Sequence, residues 1–399
     1  MFRLTDCDSI VSVGAQHPDR TMFDCLMPTP HGTTYNSYLV YGKDKTALID
    51  AVDPDKADVL MDNLRASGVE RVDYLVCLHT EQDHSGSIAL VKERWPELRI
   101  VATARVRDLL GTHLHIPASD IDVVAENDVL DLGGMTLRFL PIPFAHWPDN
   151  TMVYCEERKV LFSSDLFGSH YAESGEGEPT AEEVMTAARS YYSEIMMPFR
   201  AQIARYVERV KALGTRWIVP AHGPVWTEPD LILDAYTEWT AGNVLRKATV
   251  PYLSMHGSTQ VMVDRLAQSL EKRGVEVRLH NLGADPDSLT NETGHMIYDL
   301  VDSAVLVLAT PTVLIGPHPA AVYAGVTATA MKPPAKLFGI MGSYGWGSKA
   351  AETIAALTAD LKADRLEPLM VKGLPTKEDL ARIDAYAEDI ADRLDALGL

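Results

Sequence analysis

The stretch His79-Thr80-Glu81-Gln82-Asp83-His84 places four cation-binding side chains within six residues. It follows an apolar run over 72–78, broken only by Asp73, which reads as a strand buried on both faces. Residues 85–95 then read as a helix. Alternation at 79, 81 and 83 sends those side chains to one side, with His84 near the helix start. Burying two carboxylates and two imidazoles without a cation would be costly. Three later segments offer further ligands: His146 follows the strand 135–141, Asp165 follows 160–164, and His222 follows 217–221. Each lies just past the C-terminal end of an apolar run, as members of one site would. Together they make four histidines and three carboxylates, enough for two cations a few ångströms apart.

This spacing resembles the metallo-β-lactamase superfamily, whose αββα sandwich carries an HxHxDH motif and binds zinc. The chain departs from that motif at Glu81, where the hydrolases have histidine. A carboxylate makes the ligand set harder and more anionic, which suits iron better than an imidazole-rich set does. The expectation is a non-haem di-iron centre, with His79, Glu81 and His146 on one iron. Asp83, His84 and His222 hold the other, and Asp165 bridges the two. The alternative is a zinc-dependent hydrolase of the same superfamily with a second domain fused to it.

A second constellation lies further along. The strand 250–253 runs into Ser254-Met255-His256-Gly257-Ser258-Thr259, and a helix follows. Hydroxyls, a glycine and a helix N-terminus make a phosphate cradle without a cationic side chain. Two more loops follow strands of the same sheet: Pro311-Thr312-Val313-Leu314-Ile315-Gly316 and Ser343-Tyr344-Gly345-Trp346-Gly347. Three such loops at one sheet edge make a mononucleotide pocket, with Trp346 available to stack on a flavin ring.

Taken together, these residues closely resemble the flavodiiron proteins over essentially the whole chain. The resemblance also rests on 32–39, His146-Trp147-Pro148-Asp149, 162–168 and Tyr191-Tyr192. It implies two iron ions, FMN, and reduction of O2 to water or NO to N2O. It implies a head-to-tail homodimer or a dimer of dimers. The electron donor it implies is a separate rubredoxin-like protein or a reduced deazaflavin. Tyr191 or Tyr192 would donate a hydrogen bond or proton at the irons, and His170 would line the substrate pocket. The family loop at 312–316 usually offers asparagine side chains near the flavin. Here Val313, Leu314 and Ile315 are apolar, so flavin affinity or potential is expected to differ.

The elements that must position these residues read as an α/β chain of 399 residues in two domains. Residues 1–248 mix short strands with helices, as in a metallo-β-lactamase-like αββα sandwich. A long helical stretch over 181–213 breaks near Pro198. In 249–399, strands at 250–254, 275–279, 304–309, 336–340 and 366–371 alternate with helices, as in a flavodoxin-like doubly wound parallel sheet. Apolar residues at 46% and charged residues at 23% are ordinary globular values. A net charge of −20 disfavours nucleic acid and suits a basic partner. Cys7, Cys25, Cys77 and Cys155 form no CxxC pair and are expected to be reduced thiols. With no leader-like N-terminus and no long apolar run, a cytoplasmic protein without membrane spans is expected.

Overall fold

The computed structural model describes residues 8–24, 26–173, 179–285 and 287–399. Cys7, Cys25 and the N-terminal residues 1–6 lie outside the described residues. Cys77 is a free, buried thiol, and Cys155 is buried as well. The chain divides into two compact units. One comprises Met1–Phe23, Thr29–Tyr192 and Ala201–Thr237, the other Asp24–Pro28, Ser193–Arg200 and Glu238–Leu399.

The first unit packs two sheets face to face. In one, the strands Ile10–Ser12, Tyr38–Tyr41, Thr46–Ile49, Tyr74–Val76, Arg99–Thr103 and Ile121–Val124 lie side by side in that order. The other orders Val129–Asp131, Thr136–Pro141, Thr151–Cys155, Val160–Ser164 and Trp217–Pro220. Strand alternation sorts the apolar residues between faces. Val40, Ile49, Val76 and Val101 meet Leu137, Phe139, Val153, Phe162 and Val219 in one core between the sheets. The opposite-facing Leu39, Leu48, Leu75 and Ile100 are fully buried as well, as are Leu60 and Leu64 on helix Ala57–Ala66 and Val106 and Leu110 on helix Ala104–His113. Thr46–Ile49 runs parallel to Tyr74–Val76, and Val160–Ser164 runs parallel to Trp217–Pro220. Parallel neighbours bring their C-terminal ends together, so the loops that follow can share one site.

The helical stretch over 181–213 breaks earlier than Pro198 suggests. Helix Ala181–Tyr191 opens into a wide turn at Tyr192–Met196 before Arg200–Leu213 resumes.

In the second unit a parallel sheet has the order Glu276–Asn281, Leu245–Tyr252, Ser303–Val313, Leu337–Tyr344. The short strands Asp364–Arg365 and Leu369–Lys372 both pair with the last of these. The first strand in sequence lies inside the sheet, so the chain winds outward in both directions from it, as in a doubly wound fold. A boundary at 248/249 would cut the strand Leu245–Tyr252, the first strand of this sheet in sequence, which starts at Leu245. Charged Arg246 and Lys247 disguise its start, although Lys247 is buried against Asp299 and Asp302. Helix Pro319–Met331 has no counterpart in the sequence reading. Its alanines, glycine and threonines give no polar stripe to mark a helical period. No helix among the described residues is long and apolar enough to cross a membrane.

Candidate functional site

The seven ligand-type side chains converge at the C-terminal edge of the sandwich. His79 lies three residues past the strand Tyr74–Val76, and the short helix Gln82–Ser85 carries Asp83 and His84. The Leu78 N–H donates to Asp50 Oδ1 at 2.7 Å, and the Thr151 N–H donates to the Leu78 carbonyl at 3.0 Å, fixing the chain as it enters the loop. Asp50, Phe144, Ser164 and Phe167 all take left-handed backbone conformations in the segments that carry the site. Such strain collects where a loop must aim side chains.

Asp165 divides the set in two. Its Oδ1 lies 2.9 Å from His84 Nε2 and 3.5 Å from His222 Nε2. Its Oδ2 lies 3.6 Å from His79 Nε2 and 3.5 Å from His146 Nε2. Glu81 Oε2 joins the second group, 3.1 Å from His79 Nε2 and 3.5 Å from His146 Nε2. Asp83 Oδ2 joins the first, 3.0 Å from His222 Nε2 and 3.6 Å from His84 Nε2. Atoms that share a cation at about 2.1 Å sit roughly 3–3.5 Å apart, which is the spacing seen here. The geometry thus offers two cation positions, with one carboxylate facing both.

Three of the histidines are held from behind. His79 Nδ1 lies 3.1 Å from Asp149 Oδ2, His84 Nδ1 3.4 Å from Asp50 Oδ2, and His222 Nδ1 2.6 Å from the Thr34 carbonyl. A partner on Nδ1 leaves Nε2 free for metal and raises its basicity. Asp149 is itself oriented by the Thr80 N–H and hydroxyl, at 2.9 and 2.7 Å. Sequence reading missed Asp50 and Asp149 as orienting groups, although Asp50 ends an apolar strand and Asp149 closes the His146 motif. Gly223 follows His222 at φ 80°, and a Cβ there would stand 2.0 Å from Ser169 Oγ, so only glycine fits beside the ligand.

Electrostatics point the same way. Burial alone would lower His79, but Asp165, Asp149 and Glu81 outweigh it and push its pKa up to about 10. His222 is likewise desolvated, yet Asp165 and Asp83 push it up to about 9. Burial opposes ionisation of Asp165, but His84 and His79 hold it well below the usual carboxylate range. The pocket therefore demands positive charge, which the imidazoles alone supply only by protonation. Asp83 Oδ1, His84 Nε2 and Asp165 Oδ2 are buried without a hydrogen-bond partner. Cations at the two positions would satisfy His84 Nε2 and Asp165 Oδ2, so the donor set fits a two-metal centre.

Of the two adjacent tyrosines, Tyr191 brings its hydroxyl to Asp165, donating to Oδ1 at 3.1 Å. Burial first, then the Asp165 charge, pushes its pKa well above the usual tyrosine value, so it stays protonated. The ring of Tyr192 instead lies edge-on to Tyr236, 5.3 Å between centroids. His170 is buried 5.4 Å from the His222 ring, with Nδ1 2.9 Å from Thr33 Oγ1. Burial and the neighbouring His222 push its pKa well below the usual value.

In the second unit a cavity of about 310 Å3 opens at the C-terminal sheet edge. It is lined by Ser254, Met255, His256, Ser258, Thr259, Pro311, Thr312, Ser343, Tyr344, Gly345, Trp346 and by Gly373, which sequence reading missed. Gly373 sits in the turn after strand Leu369–Lys372, a fourth loop at the same edge. The Ser254 hydroxyl oxygen accepts from the Gly257 and Gln260 N–H groups at 3.1 and 3.2 Å, so it shapes the loop as a helix cap. Five expected positions do not line the cavity. Gly257 turns the chain at φ 86°, Gly347 lines an adjoining groove, and Val313, Leu314 and Gly316 belong to a hairpin beyond Thr312. A lining that combines the hydroxyls of Ser254, Ser258, Thr259, Thr312 and Ser343 with Pro311, Tyr344 and Trp346 suits a phosphate joined to an aromatic ring.

Residues 33–223 match the family model described as ODP family beta lactamase. The chain is 38% identical over 302 residues to the coenzyme F420H2 oxidase of Methanothermobacter marburgensis, covering 73% of each. It is 31% identical over 377 residues to the nitric oxide reductase of Moorella thermoacetica, covering 92% of each. The chain belongs to the flavodiiron protein family. Its fold matches that of rubredoxin oxygen:oxidoreductase from Desulfovibrio gigas with a TM-score of 0.90 and 28% identity, over 98% of both chains. Membership of this family implies a di-iron centre and a flavin.

Proposed function

We propose that this protein reduces O2 to water, NO to N2O, or both, at two irons, with electrons relayed through FMN. The observation that carries the reading is Asp165, whose two oxygens face two separate histidine–carboxylate groups. His79, Glu81 and His146 would hold one iron, and Asp83, His84 and His222 the other. The irons supply diatomic binding and electron transfer, and FMN accepts electrons singly or in pairs. The chain's own part is to shape, shield and protonate. The side chains of His146 and Glu81 are 15% and 18% exposed, whereas the other five are almost fully buried, so a small gas has its access on that side. The Tyr191 hydroxyl keeps its proton and donates it in a hydrogen bond to Asp165 Oδ1, and His170 keeps a neutral imidazole beside His222.

Names of relatives suggest two classes of donor: a reduced deazaflavin, from the coenzyme F420H2 oxidase, and rubredoxin, from the Desulfovibrio gigas enzyme. A head-to-tail homodimer, or a dimer of dimers, would bring the flavin of one copy to the irons of the other. Trp346, 82% exposed at the flavin pocket, and half-exposed Met255 give that pocket an apolar rim for such a partner. A buried free thiol at Cys77 suits a reducing, cytoplasmic setting.

The test is gas consumption by anaerobically reduced protein. Uptake of one O2 per four electrons, or formation of one N2O from two NO and two electrons, is expected. Absence of both, with hydrolysis of a thioester or lactam instead, would overturn the reading in favour of a zinc hydrolase.

A further inference from the structure

Among the described residues that line the second-unit cavity, His256 alone can carry a positive charge. No lysine, arginine, aspartate or glutamate is among them, and the phenol of Tyr344 is never cationic. His256 lies in the loop between strand Leu245–Tyr252 and helix Ser258–Glu271, where Gly257 turns the chain at φ 86°. Ser258 and Thr259, the first two residues of that helix, line the cavity as well, so the positive end of the helix dipole meets it. A phosphate in this cavity has its place at that helix start, beside the loop that carries His256.

The neutral donors of the cavity are partly spent inside the protein. Ser254 Oγ accepts from the Gly257 and Gln260 N–H groups at 3.1 and 3.2 Å, which takes two N–H groups at the helix start. Thr259 Oγ1 lies 2.9 Å from Ser343 Oγ, and Thr312 Oγ1 2.8 Å from Ser348 Oγ, so one hydroxyl proton of each pair is used. What remains can bind a phosphate but cannot neutralise it. The chain carries a net charge of −20, so a phosphate dianion enters against the overall field. The His256 imidazolium is the one countercharge the cavity lining offers. His256 is exposed, so its charge follows the pH of the solvent.

We infer that protonated His256 binds the flavin phosphate, so that pH sets how tightly FMN is held and how strongly it is preferred over phosphate-free riboflavin. The inference rests on the reading of this cavity as the flavin site. A charged N–H donor to phosphate makes a shorter and stronger hydrogen bond than a neutral one. Imidazoles change charge between about pH 5 and pH 8. The protonated form is the one that binds. The affinity His256 contributes is therefore present at acidic pH and lost as pH rises.

Flavin-depleted, full-length protein titrated with FMN and with riboflavin, at about pH 6 and about pH 8.5, tests this. His256→Gln is neutral at both, and His256→Lys is cationic at both. Comparing variants at one pH cancels the ionisation of the phosphate itself, which falls in the same range. At the lower pH the wild type should bind FMN about tenfold more tightly than His256→Gln, and at the higher pH the two should converge. His256→Lys should bind FMN more tightly than His256→Gln at both. Riboflavin should bind all three alike. Equal FMN affinities of wild type and His256→Gln at the lower pH would overturn the role of His256. A loss as large for riboflavin as for FMN would overturn the phosphate contact. A wild-type chain that binds neither flavin would overturn the cavity assignment instead.

Discussion

Replacing Asp83 with alanine is expected to abolish O2 and NO reduction while leaving the flavin in place. Asp83 is 7% exposed, its Oδ1 has no partner, and its Oδ2 faces His222 and His84 at 3.0 and 3.6 Å. Its removal leaves that cation position with two imidazoles and one oxygen of Asp165. Loss of a partner behind a ligand typically costs 10–100-fold in metal affinity or activity, so loss of the ligand itself should cost at least about 100-fold. The flavin cavity shares no residue with the metal cluster, so flavin absorbance and stoichiometry should match the wild type. Gas-electrode rates and iron analysis on the same sample check both halves. Turnover within tenfold of wild type would remove Asp83 from the ligand set.

The second large effect is structural. Phe162 is 1% exposed in the core between the two sheets, its ring 5.6 Å from that of Tyr38, and its neighbours across the sheet are Val153 and Val219. Phe162→Ala leaves a cavity that those strands cannot close, at a cost of about 3–5 kcal/mol. Phe162→Leu, which keeps most of the volume, should cost under about 1.5 kcal/mol. Asp165 lies three residues on, so the alanine variant should also lose iron. Chemical denaturation followed by a first-unit probe measures the difference, and equal stability of the two variants would refute this packing account.

The convergence of the seven ligand-type side chains was legible because the pattern is local. Four ligands crowd into residues 79–84, and His146, Asp165 and His222 each mark the end of an apolar strand. Asp50 and Asp149 were not legible as orienting groups, because a partner 34 or 70 residues from its histidine shows no periodicity. The choice between Tyr191 and Tyr192 depended on the wide turn that begins at Tyr192, which shifts the helical phase. The parallel sheet of the second unit was readable from its buried apolar runs. Helix Pro319–Met331 was not, because it lacks a polar face, and the strand starting at Leu245 was hidden by buried Lys247. The hairpin at Leu314 and Ile315 contradicts local turn preference outright, and no sequence rule would have placed those two residues in left-handed backbone.

Elemental analysis of protein purified without added metal bears most directly on the central claim. The two-position geometry around Asp165, with Glu81 in the ligand set, predicts about two irons per chain. Two zincs per chain with little iron would contradict it.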